Sequence, residues 1–104
     1  MKQFEIYLVN LDPTIGSEIK KSRPAVIISP NVLNKMLNTV IIAPFTSTQK
    51  EYPSRLFFNL NNKNGEIVLD QLRPVDKIRL VKKIGKTDSI TSQNIKLILQ
   101  TMFS

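Results

Sequence analysis

The 104-residue chain has no histidine, no cysteine and no tryptophan, and only three glycines. Without cysteine there is neither a disulfide framework nor a thiolate metal site. Without histidine the commonest general base and the commonest metal ligand are both missing, and so is any Ser/His/Asp arrangement. The glycines stand at 16, 65 and 85, too far apart for a phosphate-cradling loop. The eight Asp and Glu side chains are scattered and form no aspartate cluster suited to two-metal hydrolysis. Long hydrophobic runs are absent as well: residues 25–28 (AVII) and 40–43 (VIIA) fall far below a membrane span. The N-terminal MKQFEIYLVN carries one lysine and too short an apolar run for a signal peptide, so a soluble, cytoplasmic protein is expected. Acidic residues are the scarcer sign of charge. Fifteen Lys and Arg against eight Asp and Glu give a formal net charge of +7, which favours a polyanionic partner, nucleic acid or an acidic protein. Any enzyme built from this set works without an imidazole and is expected to need no metal or other cofactor.

What is present is ordinary globular material, 41% hydrophobic and 22% charged, enough for one domain spanning 1–104. Residues 4–11 (FEIYLVNL) read as a strand, and 12–16 (DPTIG) as a turn begun by Asp-Pro. Residues 17–23 form a charged loop, and 24–29 (PAVIIS) a central buried strand with Pro24 at its first position. Residues 30–38 allow a short helix starting near Pro30 or Asn31. Strands are expected at 39–45, 55–60, 66–73 and 78–86, separated by a polar loop (46–54), a turn (61–65) and a PVDK turn (74–77). Thr91 or Ser92 is expected to cap a final helix whose Ile95, Ile98, Leu99 and Met102 share one face. Short strands, polar turns and a closing helix predict a mainly β fold, a small, strongly bent sheet or barrel.

One reaction tolerates these absences. RNA carries its own nucleophile, the 2′-OH, which attacks the adjacent phosphorus in line. The protein then supplies a base for that hydroxyl, a proton donor for the leaving 5′-oxygen, and positive charge for the equatorial oxygens. Arginine clamps two phosphate oxygens, a carboxylate such as Glu18 accepts a proton, and hydroxyls at 46–48 bind phosphate. Each candidate also has a plainer reading. Arg23 suits a surface ion pair, Glu18 a partner for Lys20 or Lys21, and TSTQ (46–49) simple loop chemistry. Lys77, Arg79, Lys82, Lys83 and Lys86 suit solubility or protection of an edge strand, and Tyr7, Phe45, Phe57 and Phe58 suit a core.

The stretch YLVNLDPTIGSEIKKSRPAVIISP (7–30), followed by APFTSTQKEYP (43–53) and VLDQLRPVDKIRL (68–80), resembles the MazF/PemK toxins, the mRNA interferases of bacterial toxin–antitoxin pairs. The Gly-Ser-Glu…Arg-Pro block combined with the downstream Gln-Leu-Arg segment is specific, and the likeness covers nearly the whole chain. It implies a Src-homology-3-like barrel of the CcdB/PemK type, with a short helix after the second strand and a C-terminal helix, assembled as a homodimer. It also implies a ribosome-independent endoribonuclease that cuts single-stranded mRNA to 2′,3′-cyclic phosphate and 5′-OH ends. A cognate antitoxin, expected to be acidic and partly disordered, would be the second partner, with no membrane involved. By the same comparison Arg23, Thr46 and Glu18 are the catalytic residues. Arg23 serves transition-state charge and proton transfer, Thr46 orients the phosphate, and Glu18 is base or orienter of Arg23. Lys20, Lys21, Ser47, Gln71 and Arg73 are expected to bind RNA. Many members carry a glycine ahead of the first aromatic, whereas Phe4 stands there in KQFEIY, so the start of the barrel is expected to be built differently. CcdB-type toxins share the barrel but bind gyrase and cut nothing, which leaves a gyrase binder, and also a non-catalytic RNA-binding barrel, as alternative readings.

Overall fold

The computed structural model describes residues 1–11 and 22–104. Seven antiparallel strands and two helices follow one another as β1 (Glu5–Asn10), β2 (Ser22–Ile27), α1 (Asn31–Met36), β3 (Thr39–Thr46), β4 (Arg55–Leu60), β5 (Lys63–Val68), β6 (Arg73–Asp76), β7 (Leu80–Lys86) and α2 (Ser89–Met102). Single 3-10 turns at Leu69–Gln71 and Lys77–Arg79 flank β6. The strand order is β4-β5-β3-β2-β1-β7, and β6 pairs with β3 beside β5. Thus β3 is shared along one edge: Thr39–Ile42 pair with β6, and Phe45 and Thr46 pair with Ile67 and Glu66 of β5. Register shifts between β1 and β7 at Ile6/Tyr7 and Leu8/Val9 add the local twist a curled sheet requires.

Alternation along β2 sends its apolar residues to opposite faces. Val26 and Ile28 join Ile6, Ala43, Phe45, Ile67, Leu69 and Ile95 in one core cluster, whereas Ala25 and Ile27 join Val9, Val40, Ile42 and Val75 in the other. A strand buried on both faces reads as a continuous apolar run, which is why 24–29 is so plain in the sequence. α2 closes the first cluster. Ile95 is fully buried, with Ile98, Leu99 and Met102 packed beside it, the face expected from their spacing.

Several boundaries differ from expectation, each for a physical reason. β2 begins at Ser22, so Pro24 is its third residue; it lies beside Leu8 but ahead of the first β2–β3 pair, Ala25↔Pro44, where an N–H is dispensable. The turn expected over 61–65 shrinks to Asn61 and Asn62, both left-handed at φ 50° and 69°, a conformation asparagine tolerates, and Lys63 already starts β5. The strand expected over 66–73 breaks at Leu69–Gln71, and the PVDK segment expected to turn forms most of β6. Neither Thr91 nor Ser92 caps α2: Asp88 does, accepting from the Thr91 N–H at 2.7 Å. Phe57, expected in the core, is 57% exposed on β4. Phe4 takes φ 71°, the left-handed region that favours glycine, and its ring packs against the first cluster with Lys96 Nζ 5.6 Å from its centroid.

Candidate functional site

The β2–β3 ladder ends at Ala25↔Pro44. Carried on by two residues, the same register sets Arg23 opposite Thr46, and one step further Ser22 opposite Ser47. The strands stop pairing there, and a cleft of about 380 Å³ lies between them and the β4–β5 hairpin, lined by Ser22, Arg23, Pro24, Phe45, Thr46, Ser47, Leu60 and Lys63. Three expected site residues, Arg23, Thr46 and Ser47, therefore meet in one place. Glu18, Lys20 and Lys21 lie outside the described residues. Gln71 and Arg73 are exposed but do not line the cleft: Gln71 sits in the 3-10 turn, and Arg73 pairs with Ile42, four residues along β3 from Thr46.

Arg23 is exposed at the mouth and makes no ion pair among the described residues; its Nη1 donates only to the Ser22 carbonyl oxygen, at 3.3 Å. Among the described residues most of its five N–H donors are thus left open to an oxyanion. Thr46 is held at both of its flanks. Its backbone pairs with Glu66, and its Oγ1 accepts the Thr48 N–H at 3.2 Å. With that acceptor position engaged, the hydroxyl proton remains available to donate. Gly65 makes this packing possible: a Cβ there would fall on the Thr46 carbonyl oxygen and 2.5 Å from Cζ of Phe45.

The loop that follows Thr46 is tied down by residues that no sequence pattern singles out. The buried Glu66 carboxylate accepts from the backbone N–H of Lys50 (3.1 Å) and of Glu51 (2.8 Å), and Glu51 is left-handed at φ 59°. The Lys50 N–H, joined by that of Glu51 and by Arg55 at 3.8 Å, keeps Glu66 below the ordinary carboxylate range against the opposing effect of burial. Further on, Arg55 Nε meets Asp70 Oδ1 at 3.2 Å, the Ser54 hydroxyl donates to the same oxygen at 2.9 Å, and the Arg55 guanidinium lies 5.0 Å from the Tyr52 ring centroid. Burial alone would raise Asp70, but the Arg55 and Ser54 hydrogen bonds outweigh it and hold the group low. Among the described residues no three Asp, Glu, His or Cys side chains gather as a metal site would require.

Arg23 and Thr46 thus line one cleft beyond the last β2–β3 pair, on a chain without histidine. The model of the PemK-like, MazF-like toxins of type II toxin–antitoxin systems matches residues 2–103. The chain belongs to that family. Endoribonuclease EndoA of Bacillus subtilis is 27% identical over 106 residues, covering 96% of this chain and 91% of that protein. Endoribonuclease MazF of Staphylococcus saprophyticus is 34% identical over 90 residues, covering 81% and 75%. Among solved structures, a mycobacterial endoribonuclease in complex with its cognate antitoxin superposes with a TM-score of 0.83 at 19% identity, covering 99% of this chain and 94% of that one. The fold is therefore the family's curled antiparallel β architecture with a C-terminal helix. Ser22, Lys63, Glu66 and Asp70 are the parts of the site that the sequence does not announce. A basic residue immediately after an Asn-Asn turn is the sole hint for Lys63.

Proposed function

We propose that this MazF-type toxin is a ribosome-independent endoribonuclease acting on single-stranded mRNA, a single domain over 1–104 that arrests translation in the cytoplasm. The observation that carries the reading is the cleft in which Arg23, without an ion pair among the described residues, comes together with Thr46 and Ser47. In-line attack of a 2′-oxygen on phosphorus forms the cyclic phosphate while the P–O5′ bond breaks. The 2′-OH proton goes to a base and the 5′-oxygen gains one. Arg23 holds the charge that grows on the equatorial oxygens, and the Thr46 hydroxyl orients the phosphate by donating to one of them. Glu18 is assigned to the 2′-OH proton or to orienting Arg23, and Lys20 and Lys21 to the RNA backbone. Gln71 and Arg73, outside the cleft, are assigned to RNA flanking the cut.

A cognate antitoxin with an acidic segment is the electrostatically sensible inhibitor of a +7 chain. A second copy of the toxin is the other partner. Val32, Met36 and Leu37 around α1, with Ile41 and Ile78 nearby on β3 and the second 3-10 turn, expose an apolar surface that a homodimer would cover. No helix among the described residues is long and apolar enough to cross a membrane.

The test is incubation of the purified protein with a long single-stranded RNA in EDTA, beside Arg23→Ala, with mapping of the ends formed. Recurrent cuts with cyclic-phosphate ends are expected from the wild type. The variant, still folded, should cut at least about a hundredfold more slowly, as for loss of one oxyanion donor. Intact RNA with a folded wild type rejects the reading, and loss of cutting in EDTA means a metal takes part.

A further inference from the structure

Ser22 opens β2, lines the cleft and is 7% exposed. Its Oγ is the one buried side-chain polar atom among the described residues without a hydrogen-bond partner. Buried hydroxyls are normally satisfied, so one without a partner, on a residue lining the candidate cleft, can take a bound group. Strand alternation points Ser22 away from Arg23, toward the face of Pro24 and Val26. Lys63, on the β4–β5 hairpin where it pairs with Leu60, lines the same cleft and makes no ion pair among the described residues. The cleft lining thus holds two further polar residues, Ser22 and Lys63, besides Arg23, Thr46 and Ser47, and Ser22 lies on the other face of β2 from Arg23.

Resting on the nuclease reading above, we propose that Ser22 and Lys63 form a second phosphate contact. The Ser22 hydroxyl donates to, and the Lys63 ammonium neutralises, the phosphodiester adjoining the one that is cut. A hydroxyl alone would fit a base edge as readily, but a hydroxyl that shares its cleft with an ammonium bearing no ion pair among the described residues selects an anion. Because Ser22 lies on the opposite face of β2 from Arg23, the adjoining phosphate, rather than the scissile one, is the group assigned to it. The pair then fixes the backbone on one side of the cut, which helps set the in-line angle at the reacting phosphorus.

The experiment uses an RNA oligonucleotide spanning a mapped cut, with a 2′-deoxy sugar at the cut to block the reaction. Affinities of wild type, Ser22→Ala and Lys63→Gln are measured over a salt series. A second oligonucleotide carries uncharged methylphosphonates at the two linkages flanking the cut. On the all-phosphate RNA each variant should bind roughly tenfold more weakly, in the range of a hydrogen bond to a charged group. On the methylphosphonate RNA the variants and wild type should bind alike. Lys63→Gln should lower the salt slope by about 0.7, the value of one phosphate contact on a single strand, and Ser22→Ala should leave it unchanged. The free Ser22→Ala protein should melt no lower than wild type, since its hydroxyl has no bond to lose. Wild-type affinity in both variants, an equal defect on both RNAs, or a lowered melting temperature for Ser22→Ala would each overturn the proposal. Failure of the wild type to cut any RNA would instead reject the nuclease reading, and this inference with it.

Discussion

Thr46 shows how much a single side chain's surroundings decide. Because the Thr48 N–H occupies its oxygen, the hydroxyl can give its proton outward, and the backbone pair with Glu66 fixes the direction. Thr46→Ala is therefore expected to lower turnover more than RNA affinity, by about tenfold or more, while Thr46→Ser retains most activity. Single-turnover rates alongside binding curves would check this, and a defect confined to affinity would argue against an orienting role. Glu66 acts one step back, through the loop rather than on RNA. In Glu66→Gln one of the two backbone N–H groups meets an amide NH2 instead of an oxygen. Amide hydrogen exchange at Lys50 and Glu51 should then accelerate and kcat should fall with KM changing less. Unchanged exchange at those two amides would remove the loop tie from the account.

At the scale of elements, the junction of β3 with β5 carries the site, and Gly65 is its tightest point. Gly65→Ala must push either the Thr46 carbonyl or the Phe45 ring, which itself stands edge-on to Phe58 at 6.5 Å. Overpacking of this kind costs about 1–3 kcal/mol, so a melting temperature lower by several degrees together with impaired cleavage is expected. A fully stable, fully active Gly65→Ala protein would show that the junction yields more easily than its packing implies. The sequence makes β2, β4 and the buried face of α2 legible, because each is a run with its own period and breakers. It hides the break between β5 and β6. Both strands lie along one edge of β3, so the interruption at Leu69–Gln71 comes from a distant partner and leaves no glycine or proline inside LDQ. The Arg23–Thr46 meeting is reachable from the family likeness, whereas the presence of Lys63 in the same cleft is not: it depends on how the β4–β5 hairpin folds back.

For the molecule as a whole, the carboxylates set an acid limit. Glu66 and Asp88 are held low chiefly by backbone N–H groups, those of Lys50 and Thr91. Glu5 and Asp70 are held low by Lys83 and Arg55 against the effect of burial. A group whose value is lower folded than unfolded adds stability that is complete above its unfolded value and is lost as pH falls through its folded one. Thermal stability should therefore be level near neutrality and decline below about pH 4, where carboxylates of ordinary strength take up protons. Melting curves from pH 7 to pH 3 would test this, and a melting temperature that rises on acidification would contradict it. β7 ends the described sheet, and its Lys82, Lys83 and Lys86 discourage edge-to-edge pairing, so part of the chain's excess positive charge guards an open strand.

The Tyr52–Arg55 stack has an optical consequence. The chain holds two tyrosines and no tryptophan, so ultraviolet emission is not swamped by an indole. One fluorophore, Tyr7, sits in the interior wall of the sheet, and the other rides on the loop leading away from Thr46. A change in tyrosine emission when RNA or an antitoxin binds would therefore report on that loop in the unlabelled protein, and Tyr52→Phe would silence it.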